Sequence, residues 1–188
     1  MTDFSEILKK IENMLFENDR NITVAIDGRC ASGKTTLAAY LAEHFDCNII
    51  HMDDFFLQSH QRTKERYNTP GGNFDIERFK EEIITSIGKK SGYSYSPFDC
   101  KSMSLCEKIT LPDKRLTVFE GTYSCHPDFC GIYDLRIFLS TDKNTQRNRI
   151  LTRNPDKAEM FFSKWIILEE KYFSHFDIED KCDIKIET

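Results

Sequence analysis

Gly28-Arg29-Cys30-Ala31-Ser32-Gly33-Lys34-Thr35 is the stretch that decides how this chain is read. It matches G-x-x-x-x-G-K-S/T, and its context is the one the motif requires. Before it runs Ile22-Thr23-Val24-Ala25-Ile26, a short β-branched segment bounded by Asn21 and the Asp27-Gly28 turn signal, which reads as a buried strand. After it, Leu37, Ala38, Leu41, Ala42 and Phe45 fall on one face of a helix over 34–45. Gly28 and Gly33 permit backbone conformations that a Cβ would obstruct, so successive N–H groups can turn toward a phosphate at the positive end of the helix. Residues Gly28, Arg29, Cys30, Ala31, Ser32, Gly33, Lys34, Thr35 and Thr36 are therefore the candidate nucleotide-binding set. Lys34 would bridge the terminal phosphates of ATP, and the Thr35 hydroxyl would hold Mg²⁺.

Outward from this loop, Asn48-Ile49-Ile50-His51 supplies a second strand and closes a β-α-β unit, whose strands should be parallel. Upstream, Phe4, Ile7, Leu8, Ile11, Met14 and Leu15 recur at helical spacing, predicting an accessory helix within 1–18. Downstream, 57–114 changes to polar loops around one helix with Ile76, Phe79, Ile83, Ile84 and Ile87, and reads as an inserted acceptor-binding cap. The strand-helix rhythm resumes with Leu116–Phe119, Leu135–Leu139, a helix over 142–153, a helix aligning Phe161, Trp165, Leu168 and Tyr172, and a last strand at Asp183–Ile186. The expectation is an α/β P-loop NTPase fold in a single domain over 1–188: five parallel strands with helices on both faces, and a short lid at 147–164.

Three further sets of residues carry charge to the edge of such a sheet. Asp53 and Asp54 follow the second strand, where the carboxyl ends of parallel strands collect ligands, and Asp53 can take a proton from an acceptor hydroxyl. Glu120 ends the strand that begins at Leu116 and precedes Gly121, a place from which a carboxylate can orient water on a metal. Arg149 and Arg153 stand four apart on a helix, so both guanidinium groups can clamp a transferring phosphate. The guanine-reading N-K-x-D segment is absent, which favours a small-molecule kinase over a GTP switch.

Composition narrows the class from the other side. With 26 Lys plus Arg against 31 Asp plus Glu, the 188-residue chain has net charge −5 and no long run of like charge, so no nucleic-acid surface is expected. No apolar run approaches the ~18 residues of a membrane span. The first twenty residues lack a basic end followed by an apolar block, and seven cysteines without a C-x-x-C pair suit a reducing compartment, so a cytoplasmic protein is expected. Cys125, His126 and Cys130 lack a fourth partner and zinc-like spacing and read as structural. A homo-oligomer is compatible with all of this.

The segments Ile26 to Thr36, Met52-Asp53-Asp54-Phe55-Phe56, Gly72-Asn73-Phe74-Asp75, Phe119-Glu120-Gly121 and the arginines before Asn154 resemble, in order and separation, the uridine kinase family of nucleoside kinases. The likeness covers roughly residues 20 to 186. It implies a nucleoside-monophosphate-kinase-like sheet and transfer of the γ-phosphoryl group of MgATP to the 5′-hydroxyl of uridine or cytidine. It also implies Asp53 as catalytic base, Glu120 as the metal-site acid, Phe74 and Asp75 as a nucleoside-binding pair, Arg149 and Arg153 as the lid, and Phe56 and Phe98 as rings near the nucleoside. From its position alone, Asp75 could equally be the N-cap of the helix that follows. Where nucleoside-phosphorylating members have a histidine, this chain has Met103, and Gln61 to Arg66 adds positive charge beside the predicted pocket. An anionic or sugar-like acceptor would suit that charge, and the first alternative is a kinase of the same fold acting on another metabolite alcohol, such as pantothenate, glycerate, a sugar or a sugar phosphate. A protein that binds ATP without turning it over is the alternative from a different class.

Overall fold

The run Ile22–Gly28 forms strand β1, and all seven of its residues are buried, as expected for the middle of a sheet covered on both faces. The computed structural model describes residues 3–188; residues 1 and 2, the start of the expected accessory segment, lie outside the described residues. In chain order the helices and strands are α1 Ser5–Glu17, β1, α2 Lys34–His44, β2 Cys47–His51, α3 Lys64–Asn68, α4 Ile76–Glu82, β3 Tyr93–Tyr95, β4 Phe98–Asp99, β5 Ser104–Leu105, β6 Ile109–Leu111 and β7 Leu116–Glu120. There follow β8 Leu135–Ser140, α5 Lys143–Arg153, α6 Ala158–Met160, α7 Ile166–Phe176, α8 Ile178–Lys181 and β9 Ile184–Glu187.

Five strands make one sheet in the order β2-β7-β1-β8-β9, and every neighbouring pair is parallel. Side chains alternate between its faces. Val24, Ile26, Val118 and Ile137 pack with Leu37 and Leu41 of α2 and with Ile7 and Ile11 of α1. Ala25, Phe119 and Phe138 pack on the other side with Phe79 of α4, Phe173 of α7 and Ile178 of α8. The register sets Glu120 beside both Ile26 and His51, so the loops that follow β1, β2 and β7 leave the sheet at a common carboxyl edge. Gly28 is required at that edge: its φ is 138°, and a Cβ there would lie 2.0 Å from the Leu139 carbonyl oxygen.

The structure departs from the sequence expectation in two helices. The segment expected as one helix through Ile87 ends at Glu82 and continues as a tight 3₁₀ turn over Ile84–Ser86, because Ile83, Ile84 and Thr85 are β-branched and weak in helices. The segment expected as one helix from Phe161 to Tyr172 contains a π turn over Phe161–Trp165, which shifts the helical phase. Phe161 and Trp165 consequently line a cleft, while Tyr172 is fully buried in the core. Between α4 and β7 the chain forms two small antiparallel pairs, β3 with β6 and β4 with β5. Among the described residues no helix is long and apolar enough to cross a membrane.

Candidate active site

The carboxyl edge opens into a cleft of about 1030 Å³. Its floor is the loop from Cys30 to Gly33 and the first turn of α2. The loop is held from outside: Gln146 Nε2 donates to the Cys30 carbonyl at 3.0 Å, Arg149 Nη1 to the Ala31 carbonyl at 3.0 Å, and Thr188 Oγ1 to the Ser32 carbonyl at 3.0 Å. With its carbonyls so engaged, the N–H groups of Ala31 and Gly33 have no partner among the described residues, and the buried Ser32 hydroxyl has none either. Buried polar groups left unpaired are costly, and an anion seated in the loop would satisfy them. Lys34 Nζ donates to the carbonyls of Gly28 at 2.7 Å and Arg29 at 2.9 Å, folded over the loop it would otherwise serve.

Cys30 to Thr36 line the cleft, whereas Gly28 and Arg29 do not. The Arg29 side chain is an anchor: its Nε bonds Glu170 at 2.7 Å, its Nη1 meets Glu179 at 3.2 Å, and its guanidinium lies over the Phe138 ring. Asp27, fully buried, accepts from the N–H groups of Gly28, Tyr123 and Cys125 and from the Tyr172 hydroxyl. Burial raises its pKa although the Cys125 and Gly28 N–H groups, the Lys34 charge and the Tyr172 hydroxyl act in the opposite direction. It therefore ties the start of the loop to the turn after β7 and to α7.

Thr35 Oγ1 lies 3.3 Å from Glu120 Oε1, and His51 Nδ1 lies 2.5 Å from the same oxygen. The hydrogen bond to Glu120 raises the His51 pKa, against the effect of burial. A hydroxyl and a single carboxylate suit Mg²⁺, which keeps several waters and binds substrate phosphates rather than a complete protein cage. The chemistry of this donor set fits, and among the described residues no cluster of three or more His, Cys, Asp or Glu competes with it.

The two adjacent aspartates are separated by the turn over Met52–Phe55. Asp53 opens into the cleft, its side chain reached by solvent but crowded by the surrounding walls. That crowding and the Glu120 charge raise its pKa, while Lys34 and His51 hold it down. Asp54 turns away and accepts from the Tyr95 hydroxyl at 3.1 Å.

Three residues expected at the acceptor pocket lie elsewhere. Phe74 is 1% exposed and packs on Phe55 and Phe79 in the aromatic core. Asp75 caps α4, accepting from Arg78 N at 3.2 Å and pairing with Arg78 Nε at 3.3 Å. Phe98 is buried under the Arg62 guanidinium. An isolated bridge pairs Phe56 with Phe74, and Asn73, in the turn just before it, lines the cleft where Phe74 does not. Phe56 does line it, 6.2 Å from the Trp165 ring. Arg149 and Arg153 also reach the cleft, Arg149 bound to Thr188 as well as to the loop.

Sequence reasoning passed over His51 and Glu169. From α7, Glu169 accepts from the Cys30 N–H at 3.0 Å and the Thr122 hydroxyl at 3.3 Å. Burial lifts its pKa to about 7, opposed by Lys34 and by these two donors. The folded state thus holds this proton more tightly than the unfolded chain, whose ordinary value is 4.5. Its contribution to stability falls as pH rises from about 4.5 through about 7, by about 3 kcal/mol in all. Glu169→Gln keeps an acceptor for the Cys30 N–H without the ionisation. We expect the melting temperature to differ less between pH 5 and pH 8 in the variant than in the wild type; an equal difference would contradict this account.

The parallel five-stranded sheet, the loop between β1 and α2, and the Thr35–Glu120 pair at the sheet edge define a P-loop kinase fold. Solved structures agree. The chain is similar to a possible uridine kinase from Bacillus stearothermophilus, with a TM-score of 0.67, 18% identity, and coverage of 96% of this chain and 99% of that one. It is also similar to a putative fructose transport system kinase from Silicibacter sp. TM1040, with a TM-score of 0.72, 20% identity, and coverage of 99% and 100%. Among curated proteins, 97 residues are 29% identical to a dephospho-CoA kinase of Mycoplasma genitalium, covering 50% of this chain and 45% of that one. A further 155-residue match, 25% identical, is to the tRNA-specific adenosine deaminase subunit tad2 of Schizosaccharomyces pombe, covering 78% of this chain and 36% of that one. The chain spans less than half the length of these two curated relatives. No protein-family model matches it.

Proposed function

We propose that this chain is an ATP-dependent kinase that transfers the γ-phosphoryl group of MgATP to a hydroxyl of a small molecule. One observation supports the reading: Lys34, the Thr35–Glu120 pair, Arg153 and Asp53, residue types suited to binding phosphate, holding a metal and accepting a proton, line a single cleft. Mg²⁺ held by Thr35 and Glu120 would neutralise charge on the β- and γ-phosphates. Lys34 and Arg153 supply fixed positive charge, Asp53 takes the acceptor proton as the new O–P bond forms, and ADP leaves. Most of the rate enhancement then comes from positioning and charge stabilisation.

A pyrimidine nucleoside is the acceptor that the sequence resemblance implies. Of Phe56, Phe74, Asp75 and Phe98, only Phe56 lines the cleft, so the supported reading is a hydroxyl-bearing metabolite rather than a specific base. ADP release by purified protein, measured against uridine, cytidine, other nucleosides, pantothenate, glycerate, sugars and sugar phosphates, tests the proposal. Acceptor-dependent release that stops on chelating the metal is expected. MgATP binding with no release for any acceptor would favour the non-catalytic alternative.

A further inference from the structure

The acceptor end of the cleft carries two cations that phosphoryl transfer does not use. Arg62 follows the turn Ser59–Gln61; its Nε donates to the Leu57 carbonyl at 2.9 Å and its guanidinium lies over the Phe98 ring at 5.6 Å. These two contacts fix the plane of the fork and leave its terminal nitrogens without a partner among the described residues. Lys157 ends the turn Pro155–Lys157 and has no ion pair among the described residues. Both side chains line the cleft.

Two thiols in the cleft, Cys30 and Cys100, are set among different charged groups. Cys30, in the loop, lies in the field of Glu169, Lys34, Arg153 and Asp53. Cys100, beside the β4–β5 pair, lies in the field of Arg62, Asp53, Lys157 and Asp99. Lys34 sits on the loop, on the Gly28 and Arg29 carbonyls, while Arg62 and Lys157 enter the same cleft from the turns over 59–61 and 155–157. The triphosphate accounts for the cations at the loop. Asp99 keeps its charge but turns it to the N–H groups of Lys101 and Ser102 and does not line the cleft, and among the described residues Arg62 and Lys157 have no ion-pair partner. Covering both cations with a neutral molecule would desolvate them without compensation. A planar or tetrahedral oxyanion would instead take the Arg62 fork in two parallel bonds and the Lys157 charge.

We propose that the acceptor is an anionic alcohol, its carboxylate or phosphate group held by Arg62 and Lys157, its hydroxyl directed to Asp53, and its apolar part against the paired Phe56 and Trp165 rings. This rests on the kinase reading for the fate of the hydroxyl, but the anion subsite is testable separately. Trp165 is the sole tryptophan of the chain and lines the cleft beside Phe56, so its fluorescence reports occupancy directly.

With the loop filled by Mg²⁺ and a non-hydrolysable ATP analogue, titration with glycerate and with inorganic phosphate should give a saturable change, and glycerol should not. Arg62→Gln and Lys157→Gln should each weaken that binding at least about tenfold, and the double variant should abolish it. In turnover, glycerate against glycerol and a sugar phosphate against its sugar should each favour the anionic member. Saturable binding that persists unaltered in both variants, no saturable binding of either anion, or equal turnover of neutral and anionic members would overturn the proposal. Anion binding that depends on Arg62 and Lys157, with no ADP release from any acceptor, would uphold the subsite and overturn the kinase reading instead.

Discussion

Lys34→Ala is expected to lower turnover by at least about 10³-fold, the upper range for losing one positioned electrostatic donor. The ammonium group now rests on the Gly28 and Arg29 carbonyls, 2.7 and 2.9 Å away, so it is already held over the loop where the terminal phosphates would sit. Removing it takes a full positive charge from the place where negative charge spreads in the transition state. The fold should survive, because Lys34 opens α2 on a partly exposed position and alanine is the strongest helix former. A second consequence is measurable in the same variant. Lys34 holds down the pKa values of Asp53 and Glu169, so both carboxyls should protonate at higher pH once it is gone, and residual activity should need a more alkaline medium. Near wild-type turnover in Lys34→Ala would remove the basis for the phosphate-binding assignment.

The parts of the site that were legible in the sequence are those whose physics is local. A glycine with φ of 138° against the Leu139 carbonyl, a lysine and a hydroxyl at the start of a helix, and a carboxylate ending a buried strand are set by spacing within a few residues. The acceptor pocket is set by packing between distant segments. Phe74 and Phe98 are aromatic residues in a chain with 15 phenylalanines, and which rings face a ligand depends on how the segment over 57–114 folds back on the sheet. The N-cap alternative for Asp75, by contrast, follows from its place before Ile76, and the structure shows that cap. His51 meets Glu120 only because β2 and β7 pair in one register, and nothing in either strand alone announces it. Glu169 did leave a signal: it interrupts the apolar face of Trp165, Leu168 and Tyr172, where a charged residue must find buried partners. The π turn over Phe161–Trp165 has no comparable mark, since its residues suit an α-helix equally well.

Asp53→Asn is expected to bind MgATP with little change while phosphorylation of the acceptor falls about 10²- to 10⁴-fold, the range for a positioned general base. The amide fills the same space but cannot receive the acceptor proton. The pH dependence separates this from a loss of positioning. Crowding and the Glu120 charge set the Asp53 pKa above that of an ordinary aspartate, and only the ionised form can act as base. Wild-type kcat/KM should therefore rise with pH through that elevated value, and this acid limb should vanish in Asp53→Asn. Asp54→Asn provides the contrast, because Asp54 is bonded to the Tyr95 hydroxyl at 3.1 Å, away from the loop. The asparagine oxygen can still accept from Tyr95, so the substitution should cost at most about 1 kcal/mol of stability and leave the acid limb in place. If Asp54→Asn were the inactive variant and Asp53→Asn retained its rate and its pH profile, proton acceptance would belong to the other carboxylate, and the turn over Met52–Phe55 would have to reverse which of the two faces the cleft during catalysis.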